Sequence, residues 1–189
     1  IHHLAPNGKI GMVLANGSLS SQTGGEGDIR RRIIEDDLVA CIIAMPTQLF
    51  YTTQIPVSLW FLARNKKQKN KTCFIDARKM GTMVTRRLRE MTDGDIARIA
   101  QTFDAYENGT LEDVKGFCAV ATTEEIAKQD YILTPGRYVG IEEQSDDGEP
   151  FEEKMNRLTK ELAELFRQSH QLEHEIQKRL AAIGFEVKE

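Results

Sequence analysis

The chain has 189 residues, 40% of them hydrophobic, which is enough apolar material for one sizeable domain and an appendage. No apolar run reaches the roughly 20 residues that a membrane-spanning helix needs, and the first residues lack the layout of a signal peptide. We therefore expect a soluble, cytoplasmic protein. The net charge of −4 is uneven: residues 1–140 carry 18 Lys and Arg against 16 Asp and Glu (+2), and residues 141–189 carry 7 against 13 (−6). An acidic total usually argues against nucleic acid as a partner, but here the acid lies mostly in the tail.

The three cysteines, Cys41, Cys73 and Cys118, are far apart in the sequence. No CxxC pair or Cys/His cluster accompanies them, so we expect neither a disulfide framework nor a zinc site.

Short apolar segments predict the strands of a sheet. They lie near residues 9–14, 38–45, 56–62 and 72–77. The second and third are unbroken and uncharged, which is typical of strands that are buried on both faces. Asp28 is placed to cap a helix over residues 28–36, and a crossover helix there predicts that the first two strands run parallel. The third strand is free to return antiparallel.

Three consecutive arginines, Arg30, Arg31 and Arg32, lie on the predicted crossover helix. Consecutive positions cannot share one helix face, so most of this triplet is expected to be solvated. One or two of the guanidinium groups remain available to a phosphate.

The connection between the second and third strands carries two aromatic residues, Phe50 and Tyr51. It is longer than a tight hairpin and follows a buried strand, a position where loops commonly carry function. We take this loop as the best candidate site in the chain.

A basic turn follows the third strand and has five positive charges in eight residues. Its charged members are Arg64, Lys66, Lys67, Lys69 and Lys71. Such a turn can follow a nucleic-acid backbone without sequence preference, although a solvated loop is the commoner outcome. Residues 78–89 add four arginines and a lysine, which favours the nucleic-acid interpretation slightly.

The rest of the body is predicted from periodicity and capping signals. A helix is expected over residues 93–106, a strand over 116–121, and a short helix over 124–128 with Thr123 as its cap. The aromatic segment over residues 130–138 is expected to pack back across the body.

Residues 141–150 form an acidic linker, and residues 151–184 predict one long amphipathic helix. Its apolar positions recur at alternating steps of three and four, a heptad stripe that needs another helix to cover it. We expect the stripe to be a docking surface, whose main members are Leu158, Leu162, Leu165, Leu172 and Ile176. The cover can come from the same chain, from a second copy or from a different subunit.

Five short motifs in order resemble the DNA-methylating modification subunit of type I restriction–modification systems. They are Leu14-Ala15-Asn16-Gly17, Gly27-Asp28-Ile29-Arg30, Met45-Pro46 with Leu49-Phe50-Tyr51-Thr52-Thr53-Gln54-Ile55-Pro56, Phe74-Ile75-Asp76-Ala77-Arg78, and Tyr131-Ile132-Leu133-Thr134-Pro135-Gly136-Arg137-Tyr138. The long C-terminal helix is also similar to the tail of that subunit.

The resemblance implies an α/β fold: the C-terminal half of a Rossmann-like methyltransferase sheet, mixed, with an antiparallel last strand that inserts beside its predecessors, followed by a helical tail. It implies transfer of a methyl group from S-adenosylmethionine to the exocyclic amine of adenine in DNA. The implied partners are DNA, the DNA-specificity subunit, on which the tail would dock, and the restriction subunit. Phe50, with Tyr51 as second choice, matches the aromatic that stacks on the extruded base in related enzymes.

The chain departs from the family in lacking two motifs. Neither the acidic, Gly-rich cofactor turn nor the Asn-Pro-Pro-aromatic motif that holds the target amine occurs in it. We therefore expect a C-terminal fragment that lacks catalytic, cofactor-binding and metal-binding residues of its own and is inactive alone. The alternative is a non-catalytic assembly or DNA-contacting module with a helical docking arm.

Overall fold

The computed structural model describes residues 1–141 and 150–185. The chain divides into two compact units, Ile1–Glu143 and Gln144–Glu189. The elements of the first unit are β1 (Lys9–Ala15), α1 (Glu26–Glu35), β2 (Val39–Ala44), β3 (Val57–Ala63), β4 (Lys71–Asp76), β5 (Thr82–Met83), β6 (Arg89–Glu90), α2 (Asp93–Asn108), β7 (Cys118–Thr122) and α3 (Thr123–Lys128). The second unit contains α4 (Phe151–Ala182). Most of the predicted acidic linker lies outside the described residues.

Five strands form one mixed sheet in the order β1-β3-β2-β4-β7. β3 is antiparallel to both of its neighbours, β2 and β4 are parallel, and β7 is antiparallel to β4. The first two strands therefore run in the same direction, as predicted, and the third returns antiparallel, as predicted. They are not neighbours, because β3 lies between them.

The core lies on both faces of β2, which is buried along its whole length. On one face Ile42 packs with Trp60 and Phe74, and on the other Ile43 packs with Ile75 among the buried apolar side chains. A strand that is buried on both faces does not need alternating polar residues, which explains the unbroken apolar sequence of β2.

Two helix starts differ from the prediction. α1 begins at Glu26 after Gly25, whose φ is 81°, and no side chain caps it, so Asp28 lies in the first turn and not at the cap. α3 is capped by Thr122 and not by Thr123, because the Thr122 side chain accepts from the Glu125 backbone N–H while the Glu125 side chain accepts from that of Thr122. This reciprocal arrangement is a capping box.

The aromatic segment after α3 packs across the body, as predicted. The Tyr138 ring stacks on the Phe74 ring with centroids 3.9 Å apart and planes 11° apart. Leu133 is fully buried, and the Tyr131 hydroxyl donates to Glu35 at 2.7 Å.

In the second unit the tail is helical, as predicted. Over the parts of the chain that the structure describes, none of the helices has the length and apolar character of a membrane span.

Candidate nucleic-acid interface

The candidate site lies at the sheet edge where β1, β2 and β4 end. These strands share one direction, so their last residues, Ala15, Ala44 and Asp76, lie at the same edge. The register supports this, because Ala44 is opposite both Ser58 of β3 and Asp76 of β4. Ligands of open α/β sheets bind outside the carboxyl ends of the strands. We call this side of the sheet the carboxyl edge.

The aromatic loop, residues 46–56, joins β2 to β3 at the carboxyl edge. Its base is held in the fold, since Pro46 is buried and Leu49 packs against the core. Phe50 is 40% exposed and Tyr51 is 90% exposed. The two aromatics that the sequence singled out therefore present ring surface at the rim of the sheet.

A small hairpin lies beside the aromatic loop. It consists of β5, β6 and the turn between them, and we call it the basic hairpin (residues 82–90). The backbone N–H of Arg89 donates to the carbonyl of Gln48 at 2.8 Å, and the Gln48 side-chain amide donates to the carbonyl of Arg86 at 3.4 Å. No periodicity or spacing in the sequence signals this contact, which joins segments about 40 residues apart.

The predicted basic turn lies at the opposite edge of the sheet. It connects the end of β3 to the start of β4, where β2 begins. The six residues of β2, at about 3.3 Å each, separate the two edges by roughly 20 Å. The aromatic loop and the basic turn thus do not form one surface patch.

Lys66 is a correction to the predicted set of backbone-binding residues, because it is buried. Its ammonium group lies 2.5 Å from an Asp37 carboxylate oxygen and donates to the carbonyls of Val39 and Lys71, each at 2.8 Å. Burial lowers the pKa of Lys66, and the bond to Asp37 opposes that shift. The Lys66 ammonium group is bound by these three partners inside the protein and is not available to a phosphate.

The other members of the basic turn are exposed. The Arg64 guanidinium donates to the carbonyl of Ile1 at 2.8 Å, and the Lys67 ammonium lies 3.4 Å from Glu107. Lys69 and Lys71 present their side chains to solvent. For these four residues, backbone binding stays a prediction.

The three consecutive arginines of α1 differ in their exposure to solvent. Arg30 is 2% exposed, and its guanidinium donates to the carbonyls of Ser18, Ser21 and Tyr131 at 3.2, 2.9 and 2.7 Å. Burial lowers the pKa of Arg30, with Glu26 opposing the shift. Arg30 thus ties the loop after β1 to the segment after α3, whereas Arg31 and Arg32 are exposed.

A cleft of about 410 Å³ lies near the carboxyl edge beside the start of the basic hairpin. Arg98 lies over the Phe117 ring at 3.8 Å, and Asp95 accepts from Thr92 and from the Gly81 N–H. Hydrogen bonding from Thr92 lowers the pKa of Asp95. Asp95 and Arg98 are thus both held by contacts with neighbouring residues of the cleft. Among the described residues, no group of three or more His, Cys, Asp or Glu is placed to hold a metal ion.

The predicted docking residues all lie on α4. Leu158, Leu162, Leu165, Leu172 and Ile176 are between 43% and 60% exposed. Two ion pairs lie within this helix, Arg167 with Glu164 at 2.7 Å and Arg179 with Glu175 at 2.9 Å.

The sheet order identifies the class of fold. An antiparallel strand inserted between two strands of common direction, next to a further parallel strand, is part of a Rossmann-like methyltransferase sheet. The family model described as N-6 DNA methylase matches residues 1–147. The chain belongs to this family.

Its relatives include methylase subunits of type I restriction enzymes. The chain is 55% identical to the type I restriction enzyme HindI methylase subunit of Haemophilus influenzae over 187 residues, which is 98% of the chain and 42% of that protein. It is 45% identical to the MjaIX methylase subunit of Methanocaldococcus jannaschii over 190 residues, which is 98% of the chain and 34% of that protein. The chain thus spans less than half the length of either relative.

Solved structures have the same fold. The methyltransferase subunit of a type I restriction–modification system from Streptococcus thermophilus superposes with a TM-score of 0.63 at 31% identity, covering 71% of this chain and 27% of that one. The EcoKI M protein superposes with a TM-score of 0.53 at 19% identity, covering 95% and 45%. The second similarity concerns the fold alone.

Proposed function

We propose that this chain is part of the DNA-methylating subunit of a type I restriction–modification enzyme. The complete subunit transfers a methyl group from S-adenosylmethionine to the exocyclic amine of an adenine in DNA. The observation that carries the proposal is the aromatic loop, which exposes Phe50 and Tyr51 at the carboxyl edge of a methyltransferase sheet.

The chemistry requires such a loop because the adenine amine is paired inside the duplex. An enzyme that acts on a base extrudes it and holds it against aromatic or apolar side chains. Stacking on an aromatic ring contributes roughly 1–3 kcal/mol per base. Phe50 suits this role because its loop is anchored by Leu49 while its own ring remains partly open. Tyr51, at 90% exposed, is less well positioned and is the second choice.

The methyl donor binds elsewhere in this proposal. The acidic, Gly-rich cofactor turn and the Asn-Pro-Pro-aromatic motif are absent from these 189 residues. The residues that hold S-adenosylmethionine and the target amine therefore belong to segments of the subunit outside this chain. A gene segment upstream of Ile1 that encodes both motifs favours the enzyme over a non-catalytic DNA-contacting or assembly module.

The proposed partners are DNA, the DNA-specificity subunit and the restriction subunit. The exposed apolar stripe of α4 is the surface that we assign to docking on the specificity subunit. A solved protein from a study of complex assembly in the type I restriction–modification system has this fold, at 16% identity.

The proposal is tested by Phe50→Ala in the complete, assembled enzyme. Loss of about 1–3 kcal/mol of stacking lowers methylation by roughly 5- to 150-fold, and the melting temperature stays nearly constant because Phe50 is partly exposed. Affinity for S-adenosylmethionine stays unchanged, and Phe50→Trp retains activity. Tyr51→Ala tests the second candidate in the same loop, and a larger loss of methylation in this variant than in Phe50→Ala assigns the stacking to Tyr51. If activity and melting temperature fall in strict proportion, Phe50 is only an anchor of the loop.

A further inference from the structure

The basic hairpin carries exposed arginines immediately beside the aromatic loop. Residues 77–92 contain four arginines and one lysine against the single acid Glu90. Arg86 and Arg87, at the tip, are exposed, and within the described residues no hydrogen bond or ion pair holds either guanidinium group. Both charges are therefore available to an external anion.

Hydrogen bonds hold the turn of the basic hairpin in a defined conformation. Thr85 Oγ1 accepts from the backbone N–H groups of Arg87 and Leu88 at 3.2 and 3.0 Å, and Val84 N–H donates to the carbonyl of Leu88 at 2.9 Å. Leu88 is 9% exposed and anchors the tip in the core. Guanidinium groups on a fixed turn lose less freedom on binding than those on a flexible segment.

Arg89 has a different role from the two tip arginines. Its guanidinium donates to the carbonyls of Met80 and Gly81, each at 3.0 Å, and so closes the base of the hairpin. Its backbone N–H fixes the aromatic loop through Gln48. The hairpin and the aromatic loop are therefore held as neighbours by main-chain contacts that do not depend on the tip arginines.

We propose that Arg86 and Arg87 bind the DNA phosphates that flank the base stacked on Phe50. Phe50 is two residues, or about 8 Å of chain, from Gln48, whose side chain contacts the Arg86 carbonyl. An extruded nucleotide keeps its backbone links, so its adjacent phosphates remain near the rim of the pocket that receives the base. Arginine is suited to such phosphates because its planar fork binds two oxygens at once. This inference rests on the proposed function and adds to it a contact surface.

The experiment compares two double variants of the complete subunit, assembled with its specificity subunit. Arg86→Ala/Arg87→Ala removes the tip charges, and Lys69→Ala/Lys71→Ala removes two exposed charges at the opposite edge of the sheet. The probe is a short duplex containing the methylated site, which is identified by sequencing DNA that the enzyme has modified. Affinity is measured across a salt series.

We expect Arg86→Ala/Arg87→Ala, the tip variant, to make the negative slope of log affinity against log salt shallower by about 2. Each lost phosphate contact reduces the magnitude of this slope by about 1. Arg86→Lys/Arg87→Lys restores most of the slope. The Lys69/Lys71 variant tests the separate prediction for the basic turn, and we expect it to keep the wild-type sensitivity to changes at the phosphates that flank the target adenine. Neutral methylphosphonate links on either side of the target adenine weaken wild-type binding but have little further effect on the tip variant.

A wild-type slope in the tip variant overturns the proposal. Equal sensitivity of wild type and tip variant to the methylphosphonates also overturns it, because the contact would then lie elsewhere on the duplex. Failure of the proposed function has a different signature: an assembled enzyme that does not methylate adenine at all.

Discussion

Lys66 illustrates, at the level of single residues, how one charge in a basic run can serve the interior. Its partner Asp37 lies in the turn before β2 and has a φ of 54°, and the same carboxylate accepts from the Asn70 N–H at 2.9 Å. Charge density alone predicted a surface residue. The missing information was the position of Asp37, which only the fold supplies.

We expect Lys66→Met to destabilise the chain by about 3–5 kcal/mol, because it leaves a partly buried carboxylate and two backbone carbonyls without their cation. Lys67→Met is the matched control, since its side chain is 60% exposed. We expect that control to stay within about 0.5 kcal/mol of wild type. Urea unfolding measures both, and equal values for the two variants contradict the assigned role.

At the level of elements, the strands could be predicted closely and the helix caps less well. β2 follows directly from its uncharged apolar run, because burial on both faces leaves no other pattern. β3 is also uncharged, but the expectation that it is buried on both faces was wrong, since its residues alternate between buried and partly exposed. The start of α1 could not be predicted from Asp28, because the chain enters this helix through Gly25 in a left-handed conformation. The cap of α3 could have been predicted as Thr122, because Glu125 follows it by three positions and completes a capping box, whereas Ile126 stands at that position after Thr123.

The capping boxes of α2 and α3 make stability depend on acid pH. Hydrogen bonds from Thr92 and Thr122 lower the pKa of Asp95 and of Glu125 below their ordinary values of 3.8 and 4.5. A carboxyl with a lowered pKa in the folded state stabilises above its ordinary pKa, and the contribution is lost as pH falls through the folded-state value.

We therefore expect Asp95→Ala/Glu125→Ala to be less stable than wild type at neutral pH. The difference shrinks toward zero as pH falls below these ordinary values. Thermal melting across pH measures it, and Glu124→Ala serves as a control that removes a first-turn acid but no bond to Thr122. A difference that is constant with pH contradicts the linkage.

At the level of the whole molecule, the direction of the strands could be predicted from the sequence, but not which strands are neighbours in the sheet. The crossover through α1 required β1 and β2 to share a direction. The place of β3 between them did not follow from any run of residues, and only the resemblance to methyltransferases implied it. The contact between the aromatic loop and the basic hairpin depends on Gln48, whose φ of 67° no local pattern signals.

The tail provides a prediction at the same level. We expect Leu165→Asp on the apolar stripe of α4 to weaken assembly with the specificity subunit at least tenfold, since a charge at a buried heptad position is unfavourable. His174→Asp introduces the same charge about half a turn away from the stripe and is the control. Size-exclusion chromatography with the partner measures assembly. A tail that is protected from hydrogen exchange in an isolated monomer contradicts docking on another subunit.

The position of β3 between β1 and β2 also matters while the chain is being synthesised. Among the described residues β1 pairs with β3, and β2 pairs with β3 on one side, yet β3 is the last of the three to leave the ribosome. Until Ala63 has been made, the side of each of these two strands that pairs with β3 therefore has no partner. Such edges are templates for pairing between chains, so we expect rapid translation through this stretch, or shielding by a chaperone, to protect the newly made chain from aggregation.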